Sequence, residues 1–479
     1  MAPAAPAVPL SPFDQLIAFI EGAGGRAAVA LADAGCSSRR GLAAARSVAP
    51  GGAALRVPWS AALTSATALK NPALRGAREE REGRGSRCGA RRPRPPSASP
   101  ALLPGLRWDA LHACLRDASL VPHPSILLLA LHLLADAAWP ASPRRPYARL
   151  LPTPAGSALA AVCDAGPAGT DVVLFADSEL DGLACAQLAR AVRVERGRLQ
   201  RLRKELLAAG PGPDISFASF AWAHALVRSR ALDLSVVAGG EADADAATAP
   251  SLRVMLPLLD LAQHATVPSA CVLRLVRSPA GEPAAVDLIS RAGLAVGAPV
   301  CLDYGARPLR DLLRGYAFVP AAGDVVAGGH SEVFEDADAD GAVALVVDAG
   351  RRERGGGDSG SCMLALDHVR VLAAPGGDTA LEGGTARVVW CVRAATGTAA
   401  RVVTPGDVET ESPMSPFDEA AAARRAAAAA RALAARLRSA PAPTGRPEHA
   451  ALAAAYRAAR IALLDAAADG CEAQARAVG

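Results

Sequence analysis

The chain has 479 residues, 51% of them apolar, and a net charge of +4 that balances 51 basic against 47 acidic side chains. That length suffices for two or three domains with sizeable cores, and so even a charge balance excludes a broad field for nucleic acid or a membrane surface as the organising feature. The ten cysteines include no C-x-x-C pair, which excludes the common zinc and redox spacings and points to a reducing compartment, and the longest apolar run, from Ile126 to Ala135, falls well short of the roughly 18 residues a membrane span needs.

The first predicted element is an amphipathic helix over residues 12–24, with Phe13, Leu16, Ile17 and Ile20 on one face and Gly22 and Gly24 at its end. It starts so early that little room is left for a removable leader, and no charged segment followed by an apolar one precedes it. Residues 38–58 read as strand, Pro50-Gly51 turn and strand, by composition an ordinary hairpin. Residues 70–104 set Arg75, Arg78, Arg81, Arg84, Arg87, Arg91, Arg92 and Arg94 amid glycine, proline and serine, the composition of a disordered basic insert. A tail for nucleic acid or an acidic partner fits that composition; a solvated insertion is the plainer reading.

Residues 105–235 read as helical. One helix covers 108–115, a buried one covers 125–136, and a long amphipathic stretch over 181–209 places Leu188, Val192, Leu199, Leu202 and Leu206 on one face. Trp222 reads as a core tryptophan. After an acidic loop at 238–250 comes Met255-Leu-Pro-Leu-Leu-Asp260-Leu-Ala-Gln263-His264, an apolar run that delivers an acid, an amide and an imidazole within five residues. Such a run is a buried strand or a buried helical turn. Forty residues on, Val300-Cys-Leu-Asp-Tyr304-Gly305 is a short apolar strand ending in a phenol and a glycine, and Leu312-Leu313-Arg-Gly-Tyr316-Ala-Phe318-Val319 follows. The C-terminal third holds Asp- and Gly-rich loops at 335–361 and 373–378, β-like runs at 342–348, 368–373 and 387–393, and helices over 415–439 and 447–468. The second of these helices places Leu452, Tyr456, Ala459 and Leu463 together.

In their order these segments resemble the SET domain, the lysine-methyltransferase fold, and more narrowly its Rubisco large-subunit methyltransferase-like branch. Gly41-Leu42 with the later Val57-Pro58 is similar to the branch's opening glycine loop and strand. Tyr147 with Leu151-Pro152 matches Y-x-x-x-L-P, and Phe220 to Arg230 matches F-x-W-A-x-x-x-V-x-S-R. Asp260 to His264 resembles D-x-x-N-H, and Tyr304 stands at the place of the branch's catalytic tyrosine. The resemblance covers about residues 12–320.

It implies an α+β fold: a SET-domain β-core interrupted by a helical insert, followed by a mostly helical C-terminal substrate-binding-like domain. The SET domain would span 12–320, made of an N-terminal part (12–69), the basic insert (70–104), the helical insert (105–235) and a catalytic part (252–320). The second domain would span 321–479. The implied activity is transfer of a methyl group from S-adenosyl-L-methionine to a lysine side chain of a protein substrate. Tyr304 would be catalytic. Arg40, Gly41, Arg230, Gln263, His264, Tyr304 and Phe318 would bind the cofactor, and Asp260 and Tyr316 the substrate. No metal, nucleic acid or membrane is expected. The protein would be a monomer of the cytoplasm or nucleus, with the chloroplast as alternative.

The chemistry suits these residue types. Methyl transfer to an amine is an in-line displacement governed by positioning. The lysine must be neutral, and an apolar channel favours that form. A phenol can orient the nitrogen, and aromatic faces favour a cationic sulfonium. The chain also departs from the branch's pattern. Arg39 stands where a second glycine is usual, Gln263 replaces the asparagine, Gly297-Ala298-Pro299 replaces G-E-E, and Pro308-Leu309 replaces S-N. Glutamine keeps the amide but adds one methylene. These departures feed an alternative, a catalytically inactive SET-like module that binds a protein partner; transfer to histidine is a minor variant.

Overall fold

The computed structural model describes residues 10–34, 39–71, 106, 108–139, 141–152, 171–207, 215–233, 253–265, 271–304, 307–327, 330–335, 343–348, 368–373, 387–392, 401–402, 412–413 and 416–478. The basic insert beyond Asn71, the acidic loop at 238–250 and Gly305 lie outside them. The chain forms two compact units. The first takes in Met1–Leu174, Val192–Ala265 and Ser269–Asp303; the second takes in Phe175–Ala191, Thr266–Pro268 and Tyr304–Gly479.

The first unit is built on eleven strands among the described residues: β1 (Arg26–Ala27), β2 (Val29–Ala34), β3 (Arg39–Ala44), β4 (Ala53–Pro58), β5 (Leu63–Thr64), β6 (Leu232–Asp233), β7 (Arg253–Met255), β8 (Gln263–His264), β9 (Cys271–Arg277), β10 (Pro283–Ser290) and β11 (Pro299–Leu302). Its main sheet runs β1-β4-β10-β9-β11-β3-β2, with β8 joined to β11, so early and late parts of the chain interleave. A small sheet runs β5-β7-β6. The expected strand, turn and strand fall on β3, Gly51 at a φ of 75°, and β4. The two strands do not pair with each other: β4 lies between β1 and β10, and β3 between β2 and β11.

A central strand covered on both faces reads as continuously apolar, and β10 buries its last six residues. One of those six is Asp287. In register it faces Arg56 on β4 and Arg274 on β9. Arg56 donates to it twice, at 2.6 and 2.8 Å, and Arg274 once, at 2.8 Å. Burial alone would raise the carboxyl, but these bonds outweigh it and hold Asp287 below the usual carboxylate range.

The helices explain themselves locally. Pro12–Gly22 begins where the Ser11 hydroxyl accepts the Asp14 N–H with proline at the first turn, and it buries Phe13, Leu16 and Ile20. Pro124–Ala138 is buried from Ile126 to Ala137 and apolar on every side except at His132 and Asp136, which lie 3.2 Å apart, as suits a core helix. It packs on Phe217–Arg230, which holds Trp222 at 3% exposure. The Trp222 indole N–H donates to the Pro152 carbonyl, so its environment is that of a core tryptophan. The stretch expected as one helix over 181–209 starts five residues late. A short helix, Asp177–Asp181, gives way to Gly182 and to Ala184 at a φ of 50°, and a new helix runs Ala186–Leu206. A left-handed residue cannot continue a right-handed helix.

The second unit pairs a sheet with two long helices. Strands β12 (Ser331–Glu335), β13 (Val343–Asp348), β14 (His368–Ala373), β15 (Arg387–Val392), β16 (Arg401–Val402) and β17 (Ser412–Pro413) lie in sequence order, each antiparallel to the next. The three β-like runs of the sequence are β13, β14 and β15. Helices Pro416–Ser439 and Pro447–Val478 pack along each other, the second running ten residues beyond the expected end at 468. Ala420, Ala423, Ala427, Ala430 and Ala434 are buried on one, and Tyr456, Ala459 and Leu463 on the other.

Candidate functional site

The expected site residues divide between the units. In the first, β11 is the organising strand. It pairs antiparallel with β3 (Val300 opposite Leu42, Pro299 opposite Ala43) and parallel with β8 (Cys301 opposite Gln263, Leu302 opposite His264). Gly41, buried in β3, and Gln263 and His264, half-buried in β8, are thereby carried on strands flanking one shared neighbour. Arg40 and Arg39 also lie in β3, in register with Asp33 and Ala34 of β2.

The apolar run ahead of β8 is neither one strand nor one helix. Met255 ends β7, and Leu259–Leu261 forms a single 3-10 turn. Between them Leu258 takes φ 72° and ψ −47° while fully buried. That is the region of a γ-turn with positive central φ, rare for a bulky residue and kept only where packing over-determines it. The turn delivers Asp260.

Asp260 is the most constrained of the candidates. Its side chain is 1% exposed. The Tyr147 hydroxyl donates to Oδ2 at 2.7 Å. Arg230 Nη1 donates to the Asp260 carbonyl at 2.8 Å and approaches Oδ2 at 3.4 Å. Oδ1 is buried with no hydrogen-bond partner among the described residues. Burial raises the carboxyl above the ordinary aspartate range, against the pull of Arg230 and Tyr147. Burial, and then the adjacent Asp260, push the Tyr147 phenol well above its usual value, so it stays a donor. Two residues before Arg230, the Arg228 guanidinium is clamped by Asp171 at 3.0 Å and by Glu195, which fixes the end of the helix that presents Arg230. Asp260 thus faces Tyr147 and Arg230. Sequence reasoning quoted Tyr147 in a pattern but gave it no role; the scarcity of tyrosine, four in the chain, was the available signal.

In the second unit three expected aromatics meet. The rings of Tyr304 and Tyr316 stack with centroids 5.0 Å apart at 29°. Phe318 stands edge-on to both, 6.4 Å from Tyr304 and 6.3 Å from Tyr316. The local fold explains the meeting. Helix Leu309–Tyr316 buries Leu309, Leu312 and Leu313 and ends with Tyr316. Ala317 then turns left-handed at φ 56°, closing the helix and returning Phe318 toward the ring just passed. Arg307, not anticipated from the sequence, lies over Tyr316 at 5.5 Å and donates from Nε to the Tyr304 carbonyl at 2.9 Å. No group of three or more His, Cys, Asp or Glu suited to a metal occurs among the described residues, and no described helix is long and apolar enough to cross a membrane.

No family model matches the chain, and no curated protein matches it. Solved structures do. The SET domain of LSMT bound to lysine and AdoHcy is similar over 98% of this chain and 92% of that one, with 14% identity and a TM-score of 0.51. The structure of Rubisco LSMT bound to AdoMet is similar over 98% and 93%, with 13% identity and a TM-score of 0.48. The first of these likenesses, together with the interleaved sheet and the helices set between its strands, establishes that this chain has the SET-domain fold.

Proposed function

We propose that the chain is an S-adenosylmethionine-dependent protein-lysine N-methyltransferase. The observation that carries the reading is the gathering of Tyr304, Tyr316 and Phe318 in a chain with the SET fold. Two phenols and a phenyl ring supply the π-faces that favour a cationic sulfonium and the hydroxyls that orient an amine. The donor set suits the cofactor in kind: aromatic faces for a sulfonium, and amide and imidazole groups at Gln263 and His264 for an adenine or an amino-acid moiety. When bound, the cofactor supplies an electrophilic methyl group.

The chain's own residues do the rest. The Tyr304 hydroxyl directs the lone pair of a neutral lysine amine, and most of the catalysis is this alignment. Tyr316 and Phe318 hold water away and favour the uncharged amine. Gly41, Arg230, Gln263 and His264 are assigned to the cofactor by their places in the resemblance, as is Arg40; Asp260, held by Tyr147 and Arg230, is assigned with Tyr316 to the substrate on the same ground. The partner is a protein that presents a lysine.

Gln263 and Arg39 favour a second reading, an inactive SET-like module that binds a protein. Thermal denaturation with and without S-adenosylhomocysteine separates the two. A ligand held by the folded state at about 100 times its Kd adds about 2.7 kcal/mol. The enzyme reading requires a clear rise in Tm; no rise at millimolar ligand would leave the module.

A further inference from the structure

We propose that Glu332, anchored by Tyr456, is a positioning residue for Tyr316, and that it supplies from another strand the helix cap that Pro308 cannot. The inference rests on the methyltransferase reading only for the importance of Tyr316; the coupling itself rests on contacts within the second unit. Helix Leu309–Tyr316 begins at Pro308, an extended residue with no side-chain hydrogen bond to the helix. The pattern this chain resembles has Ser-Asn where Pro308-Leu309 stands, and those are side chains of the capping type. Proline has none to offer.

The missing acceptor comes from β12. Glu332 Oε2 accepts the Arg310 N–H at 2.9 Å, at the second position of the helix. A carboxylate there both satisfies an orphan donor and complements the helix dipole. Glu332 is 1% exposed, and the Tyr456 hydroxyl donates to the same oxygen at 3.1 Å. Tyr456 is itself fully buried on helix Pro447–Val478. The Arg460 guanidinium covers its ring at 5.5 Å and that of Phe334 at 4.7 Å.

The segment is gripped a second time. His330, next to β12 and fully buried, places Nδ1 3.1 Å from the Arg307 carbonyl. A carbonyl only accepts, so Nδ1 carries the proton. Arg307 in turn bonds the Tyr304 carbonyl. His330 and Glu332 therefore hold the stretch between Tyr304 and Tyr316 at two points. An eight-residue helix is about 12 Å long and moves as a rod, so a displacement at Arg310 reappears at Tyr316.

The four tyrosines of the chain make the test direct. Fluorine NMR of the full chain labelled with meta-fluorotyrosine resolves Tyr147, Tyr304, Tyr316 and Tyr456, each assigned by its own Tyr→Phe variant. Glu332→Ala should shift or broaden the Tyr316 resonance and leave Tyr147, in the first unit, in place. Glu332→Gln keeps an acceptor and should leave Tyr316 unmoved. Pro308→Asp restores a local cap, and in the Glu332→Ala background it should return Tyr316 to its wild-type position. A loss of packing alone would not be rescued in that way. An unmoved Tyr316 in Glu332→Ala, or a shift that persists with Pro308→Asp, overturns the proposal. Should Glu332→Ala lose the Tyr147 signal and so prove unfolded, Tyr456→Phe must move Tyr316 while Glu332→Gln does not; the converse overturns it equally. Titration of the wild type with S-adenosylhomocysteine reports separately on the functional reading, since failure to bind would end that reading and leave the Tyr316 shift standing.

Discussion

Replacing Tyr147 with phenylalanine removes one oxygen from a fully buried ring and leaves the packing otherwise filled. That oxygen donates to Asp260 Oδ2 at 2.7 Å. Without it the carboxylate keeps only the 3.4 Å approach of Arg230, while Oδ1 has no hydrogen bond among the described residues to compensate. Hydrogen bonds to charged groups contribute about 1.5–3 kcal/mol, and a buried carboxylate has no water to turn to. Tyr147→Phe should therefore destabilise the first unit by about 2 kcal/mol at neutral pH. The loss also depends on pH. Burial already holds Asp260 above the aspartate range, and the Tyr147 bond opposes that shift. A carboxyl whose folded pKa exceeds its unfolded value binds more protons folded than unfolded, so stability falls as pH rises from the unfolded value to the folded one. In the variant that fall continues to higher pH. The deficit should be small below about pH 4 and grow toward neutrality. Urea denaturation followed by tryptophan fluorescence, with Trp390 of the second unit replaced by phenylalanine so that the signal comes from Trp59, Trp108, Trp139 and Trp222 of the first, measures it. A loss under about 0.5 kcal/mol at neutral pH, the scatter of inert substitutions, or an equal loss in acid, would refute the arrangement of Tyr147, Asp260 and Arg230.

Gln263→Asn should tighten S-adenosylmethionine by roughly five- to thirty-fold, about 1–2 kcal/mol, because the shorter amide restores the reach of one or two buried hydrogen bonds; titration calorimetry giving equal, measurable affinities would show a pocket adapted to glutamine. Asp287→Ala should cost about 2–3 kcal/mol at neutral pH through loss of a buried, three-bonded carboxylate. Its depressed pKa means that this stabilisation is present above the unfolded pKa and disappears as pH falls through the folded one, so the gap between Asp287→Ala and wild type should close in acid. Ala317→Gly should raise stability by about 0.5–1 kcal/mol, since glycine takes the left-handed φ of 56° without penalty while its freer unfolded chain offsets part of the gain; a lower Tm would contradict the left-handed cap.

Much of the fold was legible where the signal is local. Phe13, Leu16 and Ile20 give the first helix a face. Valine-rich runs in the C-terminal third announce β13, β14 and β15. The order of the motifs carried the SET architecture, because each motif marks an element and the elements interleave in one way. What stayed hidden is non-local or conformational. The late start of the helix at Ala186 follows a left-handed Ala184, a conformation that no alanine advertises. Leu258 adopts a positive φ that no leucine advertises. Tyr147 meets Asp260 across 113 residues, and Tyr456 meets Glu332 across 124. The sequence showed Pro308 as a departure from the expected Ser-Asn, but not that Glu332 stands in for it.

The central claim is methyl transfer to lysine that depends on Tyr304. Purified wild type and Tyr304→Phe, each incubated with methyl-tritiated S-adenosylmethionine and a protein extract, should differ in one respect. After acid hydrolysis, wild type should place label in methylated lysine, and Tyr304→Phe should place little or none while still binding S-adenosylhomocysteine within a few fold. Absence of labelled amino acid with wild type, label recovered in methylhistidine, or full labelling by Tyr304→Phe would contradict the account.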